Sequence, residues 1–229
     1  MLQLQQSCIA KADSRLSIRN CSTKLDRIKP DARGAAMPTV EIPDRFQLTP
    51  EQFDRLALAN ETVRLELTAE GEILVMPPTG GVSGRRNIRI EAQLAFWTDR
   101  DGSGEAFDSS TTFILPNGAR RSPDAAWVQL SRWQTLTVEE QEGFPPLVPD
   151  FAIELASPSD LEAQRYADLQ VKMQEYINNG TRLGWLIEPK AKRVEIYRPG
   201  PQCTILEAPE TLSGEDVLPG FELDLSAIW

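Results

Sequence analysis

Apolar and polar residues alternate along several short stretches of the chain, and this alternation predicts strands. The clearest stretch is FAIELA, from Phe151 to Ala156, in which the Phe, Ile and Leu side chains share one face and Glu154 lies on the other. A single carboxylate in such a strand is costly to bury unless a cation meets it. We therefore expect a cationic partner for Glu154, either structural or catalytic.

Capping and turn signals divide the chain before this strand into short elements. Thr49, Pro50 and Gln52 have the pattern of a capping box with proline at the first helical position, so a short helix is expected there. The sequence then predicts, in order, a hairpin at 62–78, a helix at 82–102, short strands at 104–110, 111–121 and 123–130, and a helical stretch at 131–141.

The strongest helix pattern follows the Glu154 strand. It has Ser159 or Asp160 as its N-cap and Gly180 directly after its end. A second hairpin is expected at 182–200 and a last strand within 217–229. This order of elements predicts an α/β (α+β) fold, in which helices flank a mixed central sheet and a hairpin lies near the N-terminus.

The N-terminal residues differ in charge from the rest of the chain. Residues 1–36 contain seven Lys or Arg and three Asp, a charge of +4, so the remaining residues carry −14 of the net −10. This stretch has no regular hydrophobic period and lacks the apolar segment of a secretory signal. We expect a disordered extension at 1–40, or a start upstream of the true one at Met37, followed by one folded domain at 41–229.

The absence of histidine is the most informative feature of the composition. It excludes Ser-His-Asp and Cys-His catalysis, histidine general bases and histidine-ligated zinc. Acid–base or hydrolytic chemistry must therefore use carboxylates, lysine, tyrosine or a metal ion held by oxygen ligands.

The cysteine count, the lengths of the apolar runs and the net charge narrow the possible cellular compartment and the possible binding partners. Cys8, Cys21 and Cys203 have no zinc-site spacing and are odd in number, which favours a reducing, cytoplasmic compartment. No apolar run approaches the roughly 20 residues of a membrane span. The net charge of −10 argues against nonspecific coating of nucleic acid. It does not exclude a nuclease, because a bound divalent cation reverses the charge of an acidic site.

Two Pro-Asp pairs, ending in Asp124 and Asp150, compete as partners of Glu154. Asp150 lies four residues before Glu154, so a regular strand separates them by roughly 13 Å, too far to share a metal ion. Asp124 begins a different strand and can approach Glu154 if the two strands pair, since paired strands are about 4.8 Å apart. Alternatively, Asp124 caps a turn and Glu154 pairs with a surface lysine.

Pro123-Asp124, followed thirty residues later by Glu154 on an apolar strand, resembles the PD-(D/E)XK nuclease superfamily. That pattern has a lysine two residues after the acid, where this chain has Ala156. The sequence from Ser157 to Gly200, including GWLIEP, closely resembles the Uma-type family of restriction-endonuclease-like proteins. The resemblance spans about residues 46–229. In that family the lysine lies on the helix after the acid strand, and its match here is Lys172.

Helical geometry is compatible with this relocation. Leu169, Met173, Tyr176 and Ile177 form the apolar stripe of the long helix, and Lys172 falls at its edge. A lysine there can run its stem along the core and bring its ammonium group to Glu154. The alternative is a lysine that only neutralises Glu154.

The resemblance also implies an acid upstream of Asp124, and Glu66 matches it, with a solvated strand position as the alternative.

Many family members have a histidine before the helix at 82–102. Here any such role passes to Arg85 or Asn87, or is absent. Arg85, Arg86 and Arg89 at that helix start suit a phosphate, or form a solvated basic face. Arg120 and Arg121 either flank a scissile phosphate or lie at a strand edge.

The resemblance implies an endonuclease that cleaves nucleic acid, DNA rather than RNA, with Mg²⁺ or Mn²⁺. Asp124, Glu154 and the carbonyl group of Leu155 would hold the cation, Lys172 would assist catalysis, and Glu66 would be a further ligand through water. Nucleases of this architecture often form homodimers. The alternative is a catalytically inactive nuclease-like module that binds a protein or nucleic acid. A glycosidase also uses paired acids, but the lysine between them disfavours it.

Overall fold

A computed structural model of the chain describes residues 47–60, 62–161, 163–200 and 202–229. The chain forms two compact units, of which the first ends at Pro77 and the second runs from Pro78 to Trp229. The extension predicted at 1–40 lies outside the described residues. None of the helices in the described part of the chain is both long and apolar enough to cross a membrane.

The helix of the first unit, α1 (Pro50–Leu58), begins with the predicted capping box. The Thr49 hydroxyl accepts a hydrogen bond from the Gln52 backbone at 3.3 Å, and the Gln52 side chain accepts one from the Thr49 backbone at 2.9 Å. Two N–H groups that the first helical turn leaves unpaired are thereby satisfied.

The predicted N-terminal hairpin is also present in the first unit. Strands β1 (Leu65–Leu67) and β2 (Ile73–Val75) pair antiparallel, with Glu66 opposite Leu74. Gly71 in the connecting turn has φ +85°, a backbone conformation that favours glycine.

The second unit contains the remaining described elements. Its helices are α2 (Gly81–Asp101), α3 (Leu130–Trp133), α4 (Val138–Glu142) and α5 (Ala163–Asn179), with a 3₁₀ turn at Pro158–Leu161 before α5. Its strands are β3 (Gly104–Asp108), β4 (Phe113–Ile114), β5 (Arg120–Arg121), β6 (Ala125–Gln129), β7 (Phe151–Leu155), β8 (Leu183–Glu188), β9 (Arg193–Tyr197), β10 (Thr204–Glu207), β11 (Thr211–Ser213) and β12 (Glu222–Asp224).

A six-stranded mixed sheet forms the centre of the second unit, in the order β10-β9-β8-β7-β6-β3. Strands β7 and β8 are parallel and are connected through α5, while the other neighbours in this sheet are antiparallel. A parallel pair requires such a crossover, whereas antiparallel pairs can be joined by short turns. Strands β4 and β5 pair separately, as do β11 and β12.

The two faces of this sheet carry two apolar clusters. Odd-numbered residues of β7 and β8, such as Phe151 and Trp185, pack with Ile90 and Leu94 of α2. Even-numbered residues pack with α5, whose Met173 is fully buried. The alternation seen in the sequence therefore divides the strands between two helical layers, and the predicted mixed sheet flanked by helices is confirmed.

Three local predictions differ from the structure. The helical stretch predicted at 131–141 is two short helices, since α4 starts anew at the capping box of Thr137. The Asp160 carboxylate accepts hydrogen bonds from the backbone and the hydroxyl of Ser157, so it holds the 3₁₀ turn, and α5 starts only at Ala163. Strands β10 and β11 were not predicted; exposed polar residues alternate in β11, as at an edge strand.

Candidate active site

The strands of Asp124 and Glu154 pair, as the sequence analysis required. Strands β6 and β7 are antiparallel with Ala125 opposite Ile153. Continuing this register by one residue places Asp124 opposite Glu154. Asp150, at the other end of β7, is separated from this pair by the length of the strand.

The carboxylate of Asp124 is held from two directions. Its Oδ2 accepts a hydrogen bond from the backbone N–H of Leu155 at 2.8 Å. Its Oδ1 accepts one from the Nδ2 of Asn87, on α2, at 3.3 Å. The last residue of β7 and a residue of helix α2 therefore both position Asp124.

Glu154 has the cationic partner that its burial requires. Its Oε1 lies 2.8 Å from the Nζ of Lys172, and both side chains are less than a tenth exposed. The hydroxyl of Tyr176 donates a hydrogen bond to the same oxygen at 3.1 Å. A buried carboxylate is tolerated when it is both paired and hydrogen-bonded in this way.

The position of Lys172 follows from the periodicity of α5. Lys172 and Tyr176 are one turn apart, so both side chains reach the same strand residue. The ammonium group of Lys172 lies 3.4 Å from the backbone carbonyl of Ser122, just before Asp124. The lysine therefore contacts both Glu154 of β7 and the segment that leads into β6, and the predicted pairing of Lys172 with Glu154 is confirmed.

Asp150 is used by the fold at the other end of β7. Its Oδ2 accepts a hydrogen bond from the backbone of Gln129 at 2.9 Å and lies 2.8 Å from a guanidinium nitrogen of Arg132. Asp150 is almost fully buried, while Arg132 is about a third exposed. These contacts connect β7 to the start of α3.

Replacing Asp150 is expected to lower the free energy of unfolding and to leave any reaction at the Asp124 and Glu154 site unchanged. Asp150→Asn keeps the shape and one acceptor but removes the charge that Arg132 meets, so the free energy of unfolding should fall by about 1–3 kcal/mol. Urea unfolding followed by circular dichroism measures this loss. A cleavage rate that falls more than a few-fold at a temperature where the variant is folded would contradict the structural role.

The remaining predicted acid lies in the first unit. Glu66 is on β1 and only 1% exposed. Its alternative interpretation as a solvated strand residue is therefore wrong. Its predicted role as a ligand through water stays a prediction.

The predicted basic residues differ in exposure. Arg85 and Arg89 are exposed on α2, and Arg86 is half-buried with its Nε donating to the backbone carbonyl of Ile228 at 2.6 Å. Burial, and to a lesser extent nearby Arg85, lowers the pKa of Arg86. Arg121 is buried and its Nε lies 2.5 Å from Glu175 of α5. This ion pair favours a structural role for Arg121.

A cleft of ≈ 330 Å³ lies beside the strand ends that carry the site. It is lined by Arg86, Ala156, Pro158, Pro189 and Lys190. Because β7 and β8 are parallel, the residues after both strands meet at the same edge of the sheet. Ligands of open sheets commonly bind outside such carboxyl ends, and two cationic side chains make this cleft suitable for phosphate.

Another buried acid, Glu195 of β9, lies under the N-terminal half of α5. Its carboxylate accepts hydrogen bonds from the hydroxyls of Tyr166 and Tyr197 at 3.1 and 2.6 Å, and from the amide of Gln170 at 3.0 Å. Burial raises the pKa of Tyr166 to about 12. Burial and the hydrogen bond to Glu195 hold the pKa of Tyr197 well above its usual range. Both tyrosines therefore remain protonated donors.

The donor set at the Asp124 and Glu154 end is chemically suited to a hard divalent cation. Carboxylate and carbonyl oxygens are the ligands of Mg²⁺, Mn²⁺ and Ca²⁺. No group of three or more Asp, Glu or Cys side chains in the described part of the chain has the arrangement of a metal site. A cation here would therefore depend on two carboxylates supplemented by neutral oxygens.

The mixed sheet, with its buried acid, lysine and facing aspartate at one edge, defines a fold of the restriction-endonuclease-like class. The family model Uma2, described as "Putative restriction endonuclease", matches residues 50–226. The chain belongs to this family.

A solved structure has the same fold. It is described as a "putative nuclease belonging to DUF820" from Anabaena variabilis, with a TM-score of 0.64 and 20% sequence identity. The match covers 79% of this chain and 97% of that one. No match was found among curated proteins.

Two contacts of the site were not assigned from the sequence. Tyr176 was interpreted as core, although its spacing of one helical turn from Lys172 indicates that it can reach the same acid. Asn87 was considered only as a substitute for the family histidine. Its contact with Asp124 depends on how α2 crosses the end of β6, and no sequence pattern reports that crossing.

Proposed function

We propose that this protein is a divalent-metal-dependent endonuclease that hydrolyses phosphodiester bonds of nucleic acid, DNA in preference to RNA. The observation that carries the proposal is the buried pair of Lys172 and Glu154, 2.8 Å apart, at the strand end where Asp124 lies opposite Glu154. Membership of the "Putative restriction endonuclease" family supports the same reaction.

The carboxylates of Asp124 and Glu154, with the carbonyl group of Leu155, would hold Mg²⁺ or Mn²⁺. A bound cation of this kind polarises the scissile phosphate and activates the attacking water. The hydrogen bonds from Leu155 and Asn87 fix the orientation of Asp124, so little reorganisation is needed when substrate binds.

Lys172 would supply a fixed positive charge beside Glu154. Its ammonium group is buried against Glu154 and close to the carbonyl of Ser122, so its direction is set before substrate arrives. A buried cation in a low-dielectric environment offsets the charge that develops on phosphate far better than an exposed lysine does.

The basic face of α2 and the neighbouring cleft would bind the nucleic-acid backbone. Arg85 and Arg89 are exposed for this role, and Arg86 and Lys190 line the cleft beside the strand ends. The protein as a whole is strongly acidic, so binding would depend on this local positive charge and would weaken steeply with salt.

The test is cleavage of single- and double-stranded DNA and RNA by the full chain, with Mg²⁺, Mn²⁺ or EDTA. We expect cleavage of DNA that requires the cation and stops in EDTA. Asp150→Asn, whose acid is outside the site, is the matched control and should cleave at nearly the wild-type rate when folded.

Absence of cleavage on every substrate with either cation would contradict the proposal. If millimolar cation also fails to raise the melting temperature, and Asp124→Ala raises it, the protein is a non-catalytic nuclease-like module. In that case the Asp124 carboxylate lowers the stability of the fold without serving a reaction.

A further inference from the structure

The amide group of Asn87 is satisfied on one side only. Its Nδ2 donates to Asp124 Oδ1 at 3.3 Å. Its Oδ1 is buried and accepts no hydrogen bond from the residues that the structure describes. Asn87 is a residue of α2, so this oxygen comes from a different layer than the two acids.

The chemistry of the partners fixes which way the amide points. An ionised carboxylate only accepts hydrogen bonds, so the Nδ2 side of Asn87 must face Asp124. The oxygen is bonded to the same carbon as the nitrogen that contacts Asp124. A buried carbonyl oxygen without a donor destabilises the fold. Such an oxygen beside a carboxylate is suited to a cation.

We propose that Asn87 is a third side-chain ligand of the cation site, in addition to Asp124, Glu154 and the carbonyl group of Leu155. This inference rests on the proposed metal dependence. Amide oxygens are ordinary ligands of Mg²⁺ and Ca²⁺. No group of three or more acids among the described residues has the arrangement of a metal site, so a neutral oxygen would complete the set without adding charge.

In this arrangement Asn87 has two functions that belong to its two amide atoms. Nδ2 holds Asp124 in place, and Oδ1 contacts the cation. Removal of the whole side chain loses both, whereas a carboxylate at the same position keeps an oxygen ligand and loses the donor. The two variants therefore have opposite expected effects on cation affinity.

The test measures Ca²⁺ and Mn²⁺ binding by calorimetry, without substrate, in the wild type, Asn87→Ala and Asn87→Asp. We expect Asn87→Ala to weaken binding about tenfold or more, in the range found when partners of a metal site are removed. Asn87→Asp should strengthen Ca²⁺ binding several-fold because it adds a negative charge.

Thermal unfolding provides a second readout that a purely structural role would not reproduce. In EDTA, Asn87→Asp places a carboxylate against Asp124, so its melting temperature should fall below that of the wild type. Ca²⁺ should raise it more than it raises the wild type. Gln93→Ala is the matched control on α2, since the Gln93 amide contacts the backbone of Asp224 and should not affect cation binding.

Two outcomes overturn the inference, and they are distinguishable from failure of the proposed function. If the wild type binds cation and Asp124→Ala abolishes binding, while Asn87→Ala binds within twofold of the wild type, Asn87 only positions Asp124. If Asn87→Asp and Asn87→Ala both lower cation affinity, the oxygen is not a ligand. A wild type that binds no cation overturns the metal-dependent function itself.

Discussion

Asp124→Asn is expected to lower the rate of metal-dependent cleavage by about 10³-fold, equivalent to about 4 kcal/mol of transition-state stabilisation. The substitution keeps the volume of the side chain and an oxygen that can accept from Leu155. It removes the negative charge that a cation requires. It also sets the new Nδ2 against the Nδ2 of Asn87, so the pair of amides must rearrange.

Single-turnover cleavage at saturating Mg²⁺ measures this effect free of product release. Asp150→Asn provides the matched control, because it is the same substitution at the other end of β7 in a carboxylate that contacts Arg132. A loss of rate at Asp150 as large as that at Asp124 would show that the assay reports stability. A rate of Asp124→Asn within tenfold of the wild type would remove Asp124 from the proposed chemistry.

Lys172→Met is expected to destabilise the fold by about 3–5 kcal/mol, because it leaves the buried carboxylate of Glu154 without its cation. Methionine has nearly the volume of the lysine stem, so the packing of α5 against the sheet changes little. The hydroxyl of Tyr176 still donates to Glu154 and limits the loss. Urea unfolding at pH 8 measures the difference.

The double variant Glu154→Gln with Lys172→Met separates the structural role of the pair from its proposed catalytic role. Removing both charges should restore most of the lost stability, since an uncharged pair of similar shape has no charge to leave unpaired. Cleavage should remain abolished in the restored protein. Recovery of cleavage together with stability would show that Lys172 and Glu154 only support the fold.

The sequence predicted the parts of the site that depend on local periodicity. Strand alternation placed Glu154 on the face opposite Phe151. The family resemblance selected Lys172, and helical spacing was compatible with its reaching Glu154. Strand separation indicated that Asp124, and not Asp150, could meet Glu154. Each of these inferences concerns geometry within an element or between paired neighbours.

The parts that were not predicted depend on contacts between distant segments. The approach of Asn87 to Asp124 depends on where α2 crosses the sheet, and the ion pair of Arg121 with Glu175 on where α5 lies. The start of α5 was misplaced because Asp160, a good capping residue by type, bonds to Ser157. A capping residue has several local acceptor geometries, and the sequence does not select between them.

Helix α5 rests on two buried acids at different points along its length. Tyr166 and Gln170 contact Glu195, while Lys172 and Tyr176 contact Glu154. The two acids are separated by β8, on which Leu186 is opposite both of them. The apolar stripe of α5 selects the face that is buried, and these polar contacts add fixed donor and acceptor positions along that face.

A shift of α5 by one residue rotates each side chain by about 100° and moves it about 1.5 Å. The donors to Glu195 and the donors to Glu154 would then lose their contacts together. Buried polar contacts of this kind can specify a single register. The contacts of Tyr166 and Gln170 with Glu195 thus help to align α5 at a distance from Glu154. A substitution such as Tyr166→Phe or Gln170→Leu would therefore loosen the placement of Lys172 while leaving every residue around Glu154 unchanged.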